Sequence, residues 1–511
     1  MAKGFRPVDR AQRFLLPPDM AEWLPVDHLV WFVIETVAGL DLVRFRARHR
    51  LGGAGRAAYD PGMMVALLIY AYALGQRSSR QIERLCHTDV AFRIVCAQDV
   101  PDHVTIARFR AEHEHALGAL FGQILTLCAR AGMGRLATIA LDGTKIAANA
   151  ALSANRSESR LRKMAADILA DAAATDAAED DQFGGRRGDE LPPELADPAG
   201  RAARIKAMLD ELAAERDAKA AASEKAKRAE TRAEQARDKL AHRRATTAQQ
   251  AAERAAREAE AAAAGTSIPG TRPVPVEEHV RVRMAAERLA RAEAAAAASR
   301  RGTPAPAGSP REAKRNLTDP DSRIMPTRGG GWIQGYNGQL VVTADYLILA
   351  AELCNDSNDT NQYQPMITAA GNCVTEINAA TGAGWDIGCV LADAGYASND
   401  NLTAEGPDRL IALGTRRDQD SNATTNPAHG EPPETATARE RMDHRLRTPA
   451  GAARYRQRGA TVEPVNAHLK DRRALRRFSR RGLPAANSEF RFAAAVTNLL
   501  RLNTYLATTP A

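Results

Sequence analysis

The amino-acid sequence predicts an α/β protein in which the α/β region is split by a long alanine-rich helical insertion and preceded by an all-helical region. Short apolar runs that end at a turn occur at 136–141, 339–344 and 389–392, and such runs are typical of buried strands. Helical patterns alternate with these runs, as in layered α/β folds. Ala, Glu, Lys and Arg dominate from 153 to 308, which is the composition of long, solvated helices.

Length and charge suggest the kind of partner that the protein meets. The chain has 511 residues, enough for about three domains. Lys and Arg number 70 against 62 Asp and Glu, so the net charge is +8 and the pI is near 9.3. A positive excess favours a polyanionic partner such as nucleic acid.

Cysteine usage and hydropathy argue against several classes of protein. The six cysteines are widely spread and show neither a CxxC motif nor zinc-ligand spacing, which predicts reduced thiols in a cytoplasmic protein. The first twenty residues carry charges and prolines where a signal peptide needs an apolar core. The sequence has no apolar run of about 18 residues, so it predicts no membrane span.

Residues 1–130 are predicted to form a helical DNA-binding domain. Residues suited to begin helices stand ahead of four segments, at Asp27, Asp60, Ser78 and Asp102. The last two segments suit a helix-turn-helix whose second helix presents Arg108 and Arg110 to DNA. A plain helical bundle with solvated arginines is the alternative that the pattern leaves open.

Residues 156–314 are predicted to form a helical or coiled-coil insertion with flexible linkers. The segments 201–264 and 277–300 have almost no glycine, proline or aromatic residue, and 265–275 interrupts them. Two helices that fold back on each other fit this pattern, the first about 90 Å long at 1.5 Å per residue. Because apolar heptads are scarce, the sequence gives little support for a stable coiled-coil seam. The stretches around 176–200 and 301–310 are predicted linkers.

Residues 131–155 and 315–511 are predicted to form the α/β domain. A hairpin of two strands is expected over 339–353, with its turn at Asp345 and Tyr346. A helix over 363–381, a strand that ends at Asp393 and a strand over 409–413 follow. We expect a polar loop at 415–440, a basic helical segment from Tyr455 and an apolar helix over 490–506.

Three acids have positions that suit metal-dependent chemistry. Asp142 and Asp393 each end a strand-like apolar run, and Glu463 lies in a helical segment. Functional groups of α/β folds gather at strand ends. Magnesium prefers carboxylate oxygens, and two ions held by such groups can activate a nucleophile and stabilise the leaving oxygen of a phosphodiester. Taken singly, each acid also fits an ordinary turn or a first helical turn.

Several motifs in order resemble those of DDE transposases from bacterial insertion sequences. They are YDPGMMVALLIYAYALGQRSSRQIE, PDHVTIARFR, LDGTKIAANA, DPDSRIM with GGWIQGYNGQ, LADAGY, and YRQRGATVEPV followed by LK. The resemblance covers about 59–112, 135–155 and 315–506. It implies a ribonuclease-H-like catalytic domain in which Asp142, Asp393 and Glu463 are the catalytic triad and bind two Mg²⁺ or Mn²⁺ ions.

The resemblance also implies the Tyr-Arg-Glu-Lys subgroup of these enzymes. Its members here are Tyr455, Arg458, Glu463 and Lys470, with six residues between the last two. Lys470 lies two helical turns beyond Glu463, where its ammonium group can meet a phosphate. This sequence departs from the signature in two places. Four residues rather than three separate Arg458 from Glu463, and Asn466 with Ala467 replaces the common Phe-Gly pair.

A run of basic residues after Glu463 suits DNA phosphates. It comprises Lys470, Arg472, Arg473, Arg476, Arg477, Arg480 and Arg481, and Asp471 is the one acid within it. Such a cluster predicts salt-dependent binding to DNA. A solvated charged face is the alternative.

The resemblance implies a transposition reaction on DNA. The protein is expected to cut strands at the terminal inverted repeats of an element and to join the freed 3′-hydroxyl to target DNA. Holding two ends requires a homodimer or larger assembly, which the alanine-rich helices can help to form, in the bacterial cytoplasm at the nucleoid. Two alternatives stay open: a catalytically inactive DNA-binding remnant of a transposase, and a coiled-coil scaffold.

Overall fold

The computed structural model describes residues 19–47, 58–167, 198–263, 266, 274–301, 314–327 and 330–509. The chain forms two compact units. The first unit comprises Met1–Asn155 and Asn316–Ala511, and the second comprises Arg156–Arg315. The predicted linkers at 176–200 and 301–310 lie almost entirely outside the described residues.

The first unit is organised on a mixed six-stranded sheet. The strands of the described residues are β1 (Thr138–Ala147), β2 (Asn155–Ser157), β3 (Lys314–Asn316), β4 (Arg323–Pro326), β5 (Trp332–Thr343), β6 (Ile348–Cys354), β7 (Cys389–Ala392) and β8 (Asp408–Ile411). The sheet order is β4-β5-β1-β7-β8, and β6 also pairs with β5. β5 is antiparallel to β1, β4 and β6, whereas β1, β7 and β8 are parallel. This mixed sheet with helices agrees with the predicted α/β class.

Seven α-helices of the described residues precede the sheet. They are α1 (Leu29–Ala38), α2 (Val43–Arg46), α3 (Pro61–Ala73), α4 (Ser79–Thr88), α5 (Val90–Val95), α6 (His103–Glu112) and α7 (Glu114–Arg130). Asp60 and Asp102 cap α3 and α6 by accepting hydrogen bonds from backbone amides, as the sequence predicted. The predicted helix-turn-helix pair corresponds to α4 and α6, but α5 lies between them in the chain. The turn inferred from the sequence is therefore a helix with flanking loops.

Two long helices form most of the described part of the second unit, and six more belong to the sheet domain of the first. They are α8 (Pro198–Ala263), α9 (Val280–Arg301), α10 (Tyr363–Thr381), α11 (Asn399–Thr403), α12 (Arg416–Thr425), α13 (Ala438–Arg447), α14 (Pro449–Ala467) and α15 (Leu483–Thr508). The prediction of a polar loop at 415–440 was partly wrong, because α12 occupies the first part of this segment. Thr415 caps α12 by accepting a hydrogen bond from the amide of Asp418.

One hydrophobic core joins the N-terminal helices to the sheet. Its fully buried members include Val33 of α1, Leu67 of α3, Ile124 of α7, Ile139 of β1 and Phe490 of α15. α15 packs on both α7 and β6. A Cβ atom at Gly338 would lie 2.9 Å from the Phe490 ring, so β5 needs glycine for this close approach. The predicted boundary near residue 130 therefore crosses a continuous core.

A buried polar group, the Glu489 cluster, ties the same parts together. It comprises Tyr72, Arg77, Arg110, Ser479 and Glu489. Glu489 is 3% exposed and accepts hydrogen bonds from Arg77 Nη1 at 2.6 Å and from Ser479 N and Oγ at 2.9 Å. Arg110 Nη2 donates to Tyr72 Oη at 2.9 Å and Ser479 Oγ at 2.7 Å. Helical and C-terminal segments thus meet through buried, hydrogen-bonded charges, and Arg77 Nε is a buried donor of this cluster that has no hydrogen-bond partner among the described residues.

The second unit is built on α8 and α9, which pack against each other. Arg237 of α8 pairs with Glu293 at 2.6 Å, and Arg244 pairs with Glu277 at 2.9 Å. Arg244 follows Arg237 in the chain, but its partner Glu277 precedes Glu293. The two helices therefore run antiparallel, as the sequence predicted. α8 has 66 residues.

Two further expectations concern cysteines and membranes. The six cysteines are free, in agreement with the sequence. Among the described residues, no helix has both the length and the apolar character needed to cross a bilayer.

Candidate active site

Asp142 and Asp393 lie where two adjacent parallel strands part. β1 pairs with β7 from Thr138 opposite Cys389 to Leu141 opposite Ala392. Each aspartate is the next residue along its chain, so the sheet brings two distant positions side by side. The Asp142 side chain is 6% exposed, whereas that of Asp393 is 30% exposed. The sequence placed Asp142 at the end of a strand, and this was wrong, because β1 continues through Asp142 to Ala147 by pairing with β5.

Arg458 of α14 bridges the two aspartates. Its Nη2 atom donates to Asp142 Oδ1 at 2.7 Å and to Asp393 Oδ2 at 3.2 Å. The Arg458 side chain is only 12% exposed. Burial lowers the pKa of this guanidinium, but the negative charges of Asp142 and Asp393 raise it. The net effect is a raised pKa. A buried positive charge therefore stands between the two carboxylates.

Other donors fix the remaining oxygens of these acids. Asn466 Nδ2 donates to Asp142 Oδ2 at 2.8 Å, and the backbone amide of Gly395 donates to Asp393 Oδ1 at 2.9 Å. Asn466 Oδ1 is buried and has no hydrogen-bond partner among the described residues. The site thus holds an unused amide oxygen next to a carboxylate.

Glu463 and Lys470 line the same cavity as the aspartates. The cavity has a volume of about 540 Å³ and also includes Asp359 and Lys145. Glu463 is on α14, and Lys470 is in the π-helical turn His468–Arg472 that continues it. The sequence predicted one regular helix through both residues, but the wider turn changes the direction in which Lys470 leaves the helix.

Several residues that line this cavity carry side-chain oxygen atoms, among them Asp142, Asp393, Glu463 and Asn466. Among the described residues, no three His, Cys, Asp or Glu side chains are arranged to hold a metal ion. Instead, the Arg458 guanidinium supplies the positive charge. Carboxylate and amide oxygens are the ligands that hard divalent cations prefer, and Asp142, Asp393, Glu463 and Asn466 provide them here.

Two parts of the chain match families of known proteins. Residues 18–112 match a transposase domain, DUF772, and residues 415–503 match a transposase DDE domain. Both matches support a DDE-type transposase. No curated protein and no solved structure matches the chain significantly. The second match includes Glu463, Arg458 and Lys470, whereas Asp142 and Asp393 lie outside both matches.

The structure adds Asp359 to this cavity. Asp359 follows β6, and its Oδ1 atom accepts hydrogen bonds from Asn337 Nδ2 at 2.6 Å and Gln339 Nε2 at 2.7 Å. Lys145 Nζ lies 3.6 Å from the same oxygen. A Cβ atom at Gly143 would stand 2.3 Å from Asp359 Oδ1, so only glycine fits beside Asp142. Sequence reasoning missed Asp359 because it lies in a polar loop and not after an apolar run.

Two tyrosines near this site stay protonated at neutral pH. Burial raises the pKa of Tyr396 well above its usual value, and Asp359, Asp142 and Asp393 raise it further. Burial also raises the pKa of Tyr455 to about 12, while Arg458 opposes the shift. Tyr396 donates its hydroxyl to Gln339 Oε1. Tyr455 keeps a hydroxyl proton that it can donate.

Some of the arginines that the sequence predicted to contact DNA are exposed. They are Arg108, Arg472, Arg476 and Arg477. Arg476 pairs with Asp471, and its side chain is 72% exposed. These four residues are accessible to a phosphate backbone.

Other arginines of that predicted set are engaged inside the protein. Arg473 is 8% exposed and donates to the carbonyl groups of Tyr72 and Ala73, and burial lowers its pKa to about 10. Arg110 is 8% exposed and belongs to the Glu489 cluster. Arg480 pairs with Glu114 at 2.6 Å. Because their donors face the interior or an acid, we leave these three out of the proposed DNA contact.

Proposed function

We propose that this protein is the transposase of a bacterial insertion sequence. It cuts DNA strands at the element's terminal repeats in a metal-dependent reaction and transfers the freed 3′-hydroxyl to target DNA. The observation that carries the proposal is the cavity in which Asp142 and Asp393 stand side by side with Glu463 and Lys470. The two transposase-domain matches support it.

The proposed fold of the catalytic domain is ribonuclease-H-like. β5 pairs antiparallel with β1 on one side and with β6 on the other. The parallel strands β7 and β8 lie on the opposite side of β1. This order supports the assignment because it places Asp142 on the central strand and Asp393 after its parallel neighbour. The chain leaves this domain within β2 and returns within β3, so the proposed insertion is 156–314.

The proposed cofactors are two Mg²⁺ or Mn²⁺ ions held by Asp142, Asp393 and Glu463. The donor set fits, since it is made of oxygen atoms, includes the unpartnered Asn466 Oδ1 and already surrounds a cationic nitrogen. Bound ions would activate the attacking oxygen and neutralise the leaving one. Asn466 and Gly395 hold the aspartates in place, and Lys470 is positioned to neutralise a phosphate at the cavity.

Arg458 has two roles in this proposal. Without DNA it neutralises the aspartates, and when a phosphate is present its guanidinium is available to bind that anion in a forked geometry. Tyr455, one turn earlier on α14, is the proposed neutral hydrogen-bond donor to the same DNA. The exposed arginines Arg108, Arg472, Arg476 and Arg477 extend the proposed contact.

Arg458→Ala is expected to tighten Mn²⁺ binding by about tenfold. The change removes a charge-assisted contact with both aspartates, which is worth about 1.5–3 kcal/mol. The ion must compete with this contact for the aspartates, and about 1.4 kcal/mol corresponds to tenfold in affinity. Calorimetric titration of the DNA-free protein measures this. Arg456→Ala is the matched control, because Arg456 is on the same helix but 60% exposed and pairs with Asp420. Equal affinities for the Arg458 variant and the native protein would contradict competition between Arg458 and metal.

Strand cleavage by the native protein tests the proposed function. A duplex that carries the element's terminal repeat is incubated with Mg²⁺, and cleavage at the repeat boundary that leaves a 3′-hydroxyl is expected. Chelation of the metal should stop it. Binding of the repeat without cleavage would favour the inactive remnant, and absence of salt-sensitive DNA binding would favour the scaffold.

The proposed transposition reaction also implies an oligomeric state and a location in the cell. Both ends of the element must be held together, so we propose a homodimer or larger complex on DNA, acting at the nucleoid in the bacterial cytoplasm. Measuring the oligomeric state with and without residues 201–300 tests whether the insertion contributes to this assembly. An unchanged state would show that it does not.

A further inference from the structure

The groove between α8 and α9 carries a concentrated positive charge. It has a volume of about 1080 Å³. Its basic lining residues are Arg232, Lys239 and Arg243 of α8 and Arg281 and Arg288 of α9, and Asp238 is the one acid that lines it. The whole chain has a net charge of only +8. A large share of the chain's positive excess therefore faces a single groove.

Three acids on or next to these helices form ion pairs outside the groove. Glu277 and Glu293 pair with Arg244 and Arg237, and Glu287 lies 3.6 Å from Arg291. None of these three arginines lines the groove. Among the described residues, no ion pair joins an acid to any of the five basic groove residues. An ordinary solvated helix face would mix the two signs of charge evenly, whereas five basic residues and one acid line this groove.

The spacing of the basic residues suits a polyanion with closely spaced charges. Arg232, Lys239 and Arg243 are seven and four residues apart, so they share one face of α8 and span about 16 Å at 1.5 Å per residue. Arg281 and Arg288 repeat the seven-residue spacing on the opposite wall. Duplex DNA carries one charge per about 1.7 Å of its axis, so each row faces several phosphates.

We propose that this groove is a second DNA-binding surface, which holds the phosphate backbone of duplex DNA independently of its sequence. The proposal rests on the proposed action on DNA but not on the catalytic cavity. It gives the long insertion a binding function in addition to the assembly role considered above.

Salt-dependent binding by full-length variants tests the groove. Arg281→Ala/Arg288→Ala removes two groove charges, and Arg283→Ala/Arg291→Ala removes two charges from the same helix outside the groove. Anisotropy of a labelled duplex of unrelated sequence gives the slope of log affinity against log salt. The groove variant should show a slope shallower by about two, since each phosphate contact contributes about 0.9, whereas the control should keep the native slope. Arg281→Lys/Arg288→Lys should also keep it.

Several outcomes would overturn the proposal. Equal slopes for the groove and control variants would show that the charge acts only at long range. A changed oligomeric state with an unchanged slope would mean that another copy of the chain occupies the groove. If the α9 variant fails to fold, Arg232→Ala/Lys239→Ala tests the opposite wall in the same way. The measurement needs no cleavage, so it can fail or succeed separately from the proposed reaction.

Discussion

Asp142→Asn is expected to reduce metal-dependent strand cleavage by more than about 100-fold. Loss of a group that only supports a metal ligand costs up to about 100-fold in activity, and loss of the ligand itself should cost more. The amide has the same size as the carboxylate but lacks its charge, so it cannot neutralise a divalent ion. In either orientation its amide NH2 group replaces an oxygen atom that accepts a hydrogen bond, from Asn466 Nδ2 at 2.8 Å or from Arg458 Nη2 at 2.7 Å. Cleavage of the repeat-bearing duplex with Mg²⁺ measures the loss.

Matched variants separate this loss from a general defect. Asp393→Asn and Glu463→Gln should lose cleavage to a similar degree, because the proposed ions need all three acids. Asp400→Asn is the control, since Asp400 is exposed on α11 and outside the cavity. Binding of the duplex should persist in every variant. Cleavage at the native rate by the Asp142 variant would show that the proposed triad is wrong.

Glu489→Ala is expected to lower the free energy of unfolding by about 3–5 kcal/mol, the typical cost of removing one partner of a buried ion pair. The change leaves Arg77 with its guanidinium buried and without its acid. It also removes the acceptor of the backbone amide and hydroxyl of Ser479. Denaturant or thermal unfolding of the full chain measures the effect.

Two comparisons show whether the charge pair causes this effect. Glu489→Gln retains the shape and one acceptor, so its loss should be smaller. Glu405→Ala removes an exposed acid and should change stability by less than about 0.5 kcal/mol. In a double-mutant cycle, Arg77→Ala should cost much less once Glu489 is absent, because both changes break the same interaction. Additive effects would contradict a coupled cluster.

Local sequence patterns determined several parts of this protein. The apolar runs before Asp142 and Asp393 indicated where two strands lie, because apolar runs with β-branched residues are typical of strands. The predicted end was right for β7, but β1 continues through Asp142 to Ala147, because it pairs with β5 and the local pattern does not encode that partner. The predicted helix over 363–381 coincides with α10, and the hairpin coincides with β5 and β6. The composition of 201–300 indicated two helices that run antiparallel.

Only the tertiary structure decided which side chains meet. The bridge from Arg458 to both aspartates depends on how α14 packs on β1 and β7, and no local pattern encodes that packing. Asp359 reaches the cavity because Asn337 and Gln339 of β5 hold it.

The roles of the arginines show the same division most clearly. In sequence, Arg110, Arg473 and Arg480 cannot be told from their exposed neighbours, because charge alone does not say whether a side chain faces water. In the fold, the N-terminal helices cover these arginines and supply carbonyl or carboxylate partners. The sequence thus determined the local elements and the charge, and long-range packing decided which charges remain available for DNA.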